Sequence, residues 1–338
     1  MSLDTRLQQL WYDRPGAAWW LLPLSALFAA VVSVRRWMFR TGIMRSVNVS
    51  RPVIVIGNLT VGGTGKTPLV IWLANTLSAQ GLKVGVITRG YGGTAKQWPQ
   101  RVDADSDPVL VGDEPVLIVR QTRAVVIAGP DRVADAQQAI AAGAQVLISD
   151  DGLQHYGLQR DLEWVVVDAS RLFGNGRMLP AGPLREPLQR LATVNRVLVN
   201  ERHGARPAVL NHPHVAYRVG LTQLRSLKTG EQRELASLRG QQVHVVTGIG
   251  NPQGFLQALR EQGLKFDARI LPDHARFTVD DIEFGDALQV LMTEKDAVKC
   301  AAFATGRHWA VGAEVLLDAA DQVRLVDDVQ KCLMARVS

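Results

Sequence analysis

The chain reads PVIVIG at residues 52–57 and TVGGTGKT at residues 60–67, an apolar run followed by a glycine-rich loop. A continuous apolar run of this length is typical of a strand that is buried on both faces of a parallel sheet. Glycines let backbone N–H groups approach phosphate oxygens closely, and a helix that starts after the loop adds its positive end. The pattern predicts a phosphate-binding loop between a buried strand and a helix.

The loop departs at one position from the strict P-loop pattern G-x-x-x-x-G-K-[ST], because Thr60 stands where the first glycine is expected. The side chain of Lys66 can still reach the β- and γ-phosphates, and the hydroxyl of Thr67 can bind Mg²⁺. We therefore predict nucleotide and Mg²⁺ binding by this loop. The residues predicted to contact the nucleotide are Thr60, Val61, Gly62, Gly63, Thr64, Gly65, Lys66 and Thr67.

Strands alternate with helices from residue 52 onwards, which predicts an α/β fold with a doubly wound parallel sheet of the P-loop type. A second, smaller α/β unit is predicted to begin near residue 216. We divide the chain into an N-terminal membrane-associating segment (1–45), a P-loop domain (46–215) and a smaller domain (216–338). A cleft between two such domains is a common place for an active site that closes.

The basic charge of the chain is concentrated at its N-terminus. Residues 1–51 contain seven arginines and two aspartates, a balance of +5, so the other 287 residues contribute about +1 of the total of +6. A nucleic-acid binder more often carries its basic surface on the folded body, so we expect no nucleic acid as a partner. The two cysteines, Cys300 and Cys332, lack metal-type spacing and are consistent with a reducing cytosolic setting.

The stretch AAWWLLPLSALFAAVVSV, residues 17–34, contains no charged residue. Its length is the minimum for crossing a bilayer core, which takes roughly 17–25 residues, although a helix lying in the membrane interface is equally compatible. Trp19 and Trp20 at one end and Trp37 beyond the other are typical of interfacial aromatic residues. The arginines that follow place the body of the protein on the cytoplasmic side. A buried core helix is the alternative.

Two pairs of adjacent carboxylates are candidates for metal and acceptor chemistry. Asp150 and Asp151 follow the predicted strand 145–149, where a metal-binding carboxylate belongs at the carboxyl edge of the sheet. Asp113 and Glu114 form the second pair. Either pair alone is more often a solvated turn. Next to a phosphate loop, we predict that one pair serves Mg²⁺ and the other the acceptor hydroxyl.

The class of nucleotide-binding protein follows from what surrounds these motifs. A GTPase should show [NT]-K-x-D, but Thr293-Glu294-Lys295-Asp296 places its lysine one position too late. Partner-driving ATPases often carry a second lysine before the two glycines of the loop, where this chain has Val61. A kinase, which needs a base for its acceptor and cations for the moving phosphoryl group, is therefore favoured.

The chain resembles the tetraacyldisaccharide 4′-kinases, which phosphorylate the lipid A precursor. The resemblance covers essentially the whole chain, and its motifs are specific as an ordered set. They are the N-terminal apolar segment, the loop 57–68, RGYG (89–92), GDEP (112–115), DDGLQH (150–155), PAGPLREP (180–187), PDH (272–274) and TEKDAVK (293–299). A phosphate loop without the first glycine is normal in this family.

The resemblance implies transfer of the γ-phosphoryl group of ATP to the 4′-hydroxyl of a lipid-linked glucosamine disaccharide 1-phosphate. It implies an Asp113–His274 dyad in catalysis, assisted by Lys66. We predict Thr67, Glu114 and Asp150 as Mg²⁺ ligands. The residues predicted to contact substrate or phosphate are Asp151, Gln154, His155 and Arg185, with an ion pair to Glu186 as the alternative for Arg185.

The expected location is the cytoplasmic face of the inner membrane, with the lipid substrate and the membrane surface as partners and no obligate protein partner. Two other functions remain open from sequence. One is a membrane-tethered P-loop ATPase that acts on a protein partner. The other is a nucleotide-dependent switch without an acceptor.

Overall fold

The computed structural model describes residues 7–13, 16, 18–201, 210, 212–273 and 275–337. Its strands are β1 (Val53–Gly57), β2 (Val84–Thr88), β3 (Gln100–Val102), β4 (Val125–Ala128), β5 (Val146–Asp150), β6 (Leu162–Asp168), β7 (Arg196–Asn200), β8 (Val215–Ser226), β9 (Gln232–Glu234), β10 (Gln242–Thr247), β11 (Lys265–Ile270), β12 (Val290–Thr293) and β13 (His308–Leu317). Its α-helices are α1 (Leu22–Arg40), α2 (Lys66–Ala79), α3 (Pro108–Val111), α4 (Asp113–Gln121), α5 (Arg132–Ala141), α6 (Pro252–Glu261), α7 (Val279–Ile282), α8 (Glu294–Cys300) and α9 (Ala319–Val337).

The N-terminal half contains the predicted parallel sheet. Strands run in the order β7-β6-β1-β5-β2-β4 in parallel, and β3 closes the edge antiparallel to β4. Every residue of β1, β2, β5 and β6 is buried, as continuous apolar runs predict. Helices α2, α4 and α9 cover one face and α5 covers the other. The central position of β1 places the glycine-rich loop at the middle of the carboxyl edge.

One strand continues the sheet into the C-terminal half. Strand β8 is parallel to β7 on one side and antiparallel to β13 on the other, and β12, β10 and β11 follow in parallel. The two halves therefore share one sheet of 13 strands. The predicted boundary at residue 216 falls within β8, which pairs with both halves, so the division into two domains stays a prediction.

Helix α1 lies along the body of the protein instead of being enclosed by it. A stripe that includes Ser25, Phe28 and Val32 faces the body, with the spacing of one helix side. The Ser25 hydroxyl donates to the Met178 carbonyl oxygen at 2.8 Å. The opposite side exposes Leu22, Leu24, Leu27, Val31, Val34 and Trp37, and the turn that precedes the helix exposes Trp19 and Trp20. The alternative of a buried core helix is wrong, since 6% of the apolar window in residues 19–40 is buried.

Candidate active site

Two side chains from the neighbouring strands β7 and β8 hold the glycine-rich loop by hydrogen bonds. Asn200 at the end of β7 donates to the Thr64 carbonyl oxygen at 3.1 Å, and the Tyr217 hydroxyl of β8 donates to the Gly65 carbonyl oxygen at 3.1 Å. Gly65 precedes α2 with a φ of 87°, and a Cβ there would lie 2.4 Å from the Asn200 amide nitrogen. Only glycine fits this left-handed, crowded position.

The loop leaves a set of backbone donors for an anion. Within the described residues, none of the N–H groups of residues 62–65 donates a hydrogen bond to another part of the chain. These N–H groups precede the N-terminus of α2, whose dipole also favours negative charge. The arrangement therefore suits the phosphates of a nucleotide.

Lys66 and Arg185 form a pair of cations beside this loop. Lys66 Nζ donates to Asn58 Oδ1 at 2.9 Å and lies 3.5 Å from Asp151 Oδ1. Arg185 forms two hydrogen bonds to the Asp151 carboxylate, at 2.9 and 2.7 Å, and also bonds the Asn58 carbonyl and carboxamide oxygens. The alternative ion pair of Arg185 with Glu186 is absent among the described contacts, because Glu186 pairs with Arg190 at 3.2 Å.

The two adjacent aspartates have different environments. Burial would raise the pKa of Asp151, but Lys66 and Arg185 outweigh it and lower the pKa well below its usual range. Burial and the negative charge of Glu114 raise the pKa of Asp150 to about 7. Asp150 Oδ1 is buried and accepts no hydrogen bond from any described residue. Asp151 thus anchors two cations, while Asp150 offers an unused oxygen.

Asp113 and Glu114 form the first turn of α4 instead of an isolated solvated turn. Asp113 is buried, and its Oδ1 accepts the N–H of Glu114 at 2.9 Å. Helix α8 of the C-terminal half contributes two lysines to this pair. Lys299 Nζ lies 3.5 Å from Asp113 Oδ2, and Lys295 Nζ lies 3.9 Å from the same oxygen. The site therefore contains residues from both halves of the chain.

Lys295 is surrounded by carboxylates. Its Nζ lies 3.3 Å from Glu114 Oε1 and 3.8 Å from Asp273 Oδ1, in addition to Asp113. Burial would lower the pKa of Lys295, but Glu114, Asp113 and Asp273 outweigh it and raise the pKa to about 12. The ammonium is therefore charged at any physiological pH. His274, predicted as the partner of Asp113, lies outside the described residues.

Gln154 and His155 follow the aspartate pair. The Gln154 amide donates to Glu186 Oε1 at 3.0 Å, which fixes its orientation. Burial, together with the positive charges of Arg132 and Arg89, lowers the pKa of His155 to about 4. His155 is therefore neutral at pH 7 and lies in a cationic region next to the aspartates.

Sequence reasoning missed several of these residues, namely Asn58, Arg89, Arg132, Lys295 and Lys299. For the two lysines, one sequence pattern was available. Thr293 and Asp296 have the spacing of a helix N-cap, and lysines at positions 295 and 299 then fall on one side of that helix. Their meeting with α4 depends on the sheet connection through β8, which no local pattern reveals.

The residues predicted for Mg²⁺ fit such an ion. Asp150 has a buried oxygen without a hydrogen-bond partner among the described residues, and the negative charge of Glu114 contributes to its raised pKa. In the described part of the chain, no three His, Cys, Asp or Glu side chains form a metal site of their own. Mg²⁺ commonly binds to one or two carboxylates and completes its shell with substrate phosphates and water.

A phosphate loop whose lysine lies beside Asp151, together with a second carboxylate pair that is ion-paired to lysines of α8, defines a P-loop phosphotransferase, in which a nucleotide meets an acceptor. The profile of one family, described as LpxK, tetraacyldisaccharide-1-P 4′-kinase, matches residues 17–331. The chain belongs to this family, and it is a kinase with an alcohol group as acceptor.

Individual relatives agree with the family assignment. The tetraacyldisaccharide 4′-kinase of Nitrosococcus oceani is 46% identical over 97% of this chain and 95% of its own length. That of Pseudomonas putida is 44% identical over 94% and 93%. Among solved structures, LpxK from Aquifex aeolicus in complex with ATP is similar with a TM-score of 0.79 at 26% identity, covering 93% of this chain and 98% of that one.

Proposed function

We propose that this protein transfers the γ-phosphoryl group of ATP to the 4′-hydroxyl of a tetraacyl glucosamine disaccharide 1-phosphate, a step of lipid A biosynthesis. The observation that supports this best is the position of Asp150 and Asp151 between the two groups, since Asp151 lies 3.5 Å from Lys66 of the phosphate loop and the negative charge of Glu114 raises the pKa of Asp150. Such a site can align a phosphoryl donor and an alcohol in a low-dielectric environment.

In the proposed reaction Asp113 accepts the proton of the 4′-hydroxyl while the sugar oxygen attacks the γ-phosphorus and the bond to the β-phosphate oxygen breaks. His274 is proposed to orient Asp113. The loop N–H groups, Lys66 and Arg185 bind the phosphate oxygens, and Asp151 keeps both cations in place. Bound by Asp150, Glu114 and Thr67, Mg²⁺ would neutralise charge on the phosphate oxygens.

The acceptor is proposed to lie between the loop and α1. Besides burial and the buried Arg132, which pairs with Asp135, the charges of Arg89 and Arg35 lower the pKa of His155, so two further guanidinium groups act on this part of the site. Guanidinium groups suit the phosphate of a disaccharide 1-phosphate. Because Arg35 belongs to α1, the headgroup would be bound next to the membrane-associating helix.

We also propose that α1 lies in the membrane interface on the cytoplasmic face of the inner membrane. Both ends of the helix contact the body, through Ser25 with Met178 and through Phe39 with Tyr156, whose ring centroids are 5.7 Å apart. A helix attached at both ends cannot cross a bilayer without taking the body into the lipid. Its outward apolar side and neighbouring arginines suit an interfacial position.

The reaction is tested by incubating purified protein with labelled ATP, Mg²⁺ and the disaccharide 1-phosphate lipid and then following label into the lipid. The proposal expects labelled lipid that depends on all three components. Hydrolysis of ATP with unlabelled lipid would contradict it and would favour a membrane-tethered ATPase. Protease digestion of inside-out and right-side-out inner-membrane vesicles tests the face, with cleavage expected only in the former.

A further inference from the structure

We propose that Lys295 occupies the carboxylate site while Mg²⁺ is absent, and releases Glu114 when Mg²⁺ binds, so that its charge becomes available to the phosphoryl group. This inference rests on the proposed function, because it assigns Lys295 to the same reaction. No covalent bond to Lys295 is made or broken.

The first observation is the position of the ammonium group. Lys295 Nζ lies 3.3 Å from Glu114 Oε1, with Asp273 and Asp113 oxygens at 3.8 and 3.9 Å. Three carboxylates therefore share one ammonium group, and Glu114 is the nearest of them. Glu114 is also the residue whose charge acts on Asp150. The ammonium thus neutralises a carboxylate that Mg²⁺ would need.

The second observation is the charge of the whole cluster. Around α4 and α8 the carboxylates of Asp113, Glu114, Asp273 and Asp296 face two ammonium groups, those of Lys295 and Lys299. Asp150 is affected by the charge of Glu114 as well, but Lys66 and Arg132 also act on it, so it is not counted in this balance. Excess negative charge favours a divalent cation, which would reduce the attraction that keeps Lys295 in place.

The third observation is a difference between the two lysines. Lys299 also pairs with Asp296 of its own helix at 3.3 Å and lies over the Phe277 ring, so it remains tied to the C-terminal half. The nearest carboxylate of Lys295 is instead Glu114 of α4, at 3.3 Å, and Asp273 of the C-terminal half lies farther away, at 3.8 Å. A lysine side chain has a flexible four-carbon stem, so its charge can move by several Å while its helix stays in place.

The backbone of α8 provides the fixed base for this movement. Asp296 is fully buried and accepts hydrogen bonds from the Thr247 hydroxyl at 3.2 Å, the Gly248 N–H at 3.1 Å and the Thr293 hydroxyl at 2.7 Å. These bonds attach the start of α8 to β10 and β12. A change at the site is therefore expected in the Lys295 side chain and not in the helix.

The decisive measurement uses the unmodified full-length protein, so that misfolding of a variant cannot obscure it. Amine acetylation is followed by mass spectrometry with and without Mg²⁺, in the absence of nucleotide. Mg²⁺ is expected to raise the acetylation rate of Lys295 severalfold, while that of Lys265, exposed on β11, stays constant. An unchanged rate at Lys295 would overturn the inference.

A second measurement follows Mn²⁺ binding without nucleotide by the loss of the free-ion electron paramagnetic resonance signal. Lys295→Met should bind Mn²⁺ about tenfold more tightly, because a competing cation near Glu114 is removed. In a Glu114→Gln background the same substitution should change nothing, and Lys265→Met serves as the matched control. A Lys295→Met protein that is folded but binds Mn²⁺ no more tightly than the original would also overturn the inference.

Catalysis provides the third readout. Lys295→Met should lower kcat about a hundredfold or more while the affinity for ATP changes little, since the charge acts on the group in transfer. A normal kcat would contradict the second part of the inference. If the original protein fails to label the lipid but Mg²⁺ still alters Lys295 acetylation, the proposed acceptor is wrong and the release of Lys295 stands.

Discussion

The outward side of α1 makes a quantitative prediction about membrane binding. Leu24, Leu27, Val31 and Val34 are 54, 61, 58 and 55% exposed, so somewhat more than half of each side chain is available to lipid. Full burial of such a side chain contributes about 1.5–3 kcal/mol, which leaves roughly 1–1.5 kcal/mol for each and about 4–6 kcal/mol for the four. Replacing all four by serine should therefore lower the membrane partition constant by roughly 10³–10⁴.

Flotation with vesicles that contain an anionic phospholipid measures this partition. The matched control replaces Val323 and Met334 by serine, because both lie on α9 and are 60 and 69% exposed. The control should float like the original protein. Thermal unfolding in detergent should be nearly unchanged in both variants, since the replaced side chains project mainly into solvent.

Flotation of the fourfold variant together with the original protein would refute the reasoning. It would mean that the apolar side of α1 contributes little and that another surface binds the membrane. Raised salt separates the two contributions, because it weakens the attraction of the arginines to anionic lipid and leaves apolar burial in place.

Three further predictions concern the site and its support. Asp113→Asn should reduce phosphoryl transfer at least a hundredfold while ATP affinity, measured by equilibrium binding, stays within a few-fold; normal turnover would remove Asp113 from the role of base. Arg185→Lys should cost about 1.5–3 kcal/mol in kcat/KM, because one ammonium cannot replace the two-pronged contact with Asp151; an unchanged kcat/KM would show that charge alone suffices. Arg132→Met should lower the free energy of unfolding by about 3–5 kcal/mol in urea titrations, since it leaves the buried Asp135 unpaired, and Asp135→Asn in addition should recover part of the loss. An Arg132→Met protein as stable as the original would contradict that account.

Local patterns were sufficient for the nucleotide half of the site. The apolar run at β1, the glycines after it and the helix that follows are adjacent in sequence, so each constrains the next. Asp150 was also predictable, because the carboxyl ends of parallel strands meet at one edge. These predictions of strand, loop and helix are confirmed by the structure.

The acceptor half was less accessible from sequence because its contacts are distant along the chain. Lys295 meets Glu114 across 181 positions, through a sheet that passes from parallel pairing at β7–β8 to antiparallel pairing at β8–β13. The sequence of a long, half-buried antiparallel strand does not indicate which other strand it pairs with. The roles of the predicted site residues remain predictions that the proposed experiments test.

The attachment of α1 to Met178 fixes the distance between this helix and the phosphate loop. Met178 and Thr60 both form β-bridges with Leu184, and Arg185 donates its N–H to the Leu59 carbonyl oxygen at 2.6 Å. Helix α1, the segment from Met178 to Arg185 and the phosphate loop are thus joined by direct hydrogen bonds and β-bridges. If α1 lies in the interface, the γ-phosphate position stays at a constant distance from the lipid surface. The enzyme would then select its acceptor partly by the distance between the lipid surface and the acceptor hydroxyl. In a headgroup with one more sugar, the terminal hydroxyl would lie farther from the lipid surface than the γ-phosphate, even if the acyl chains were accepted.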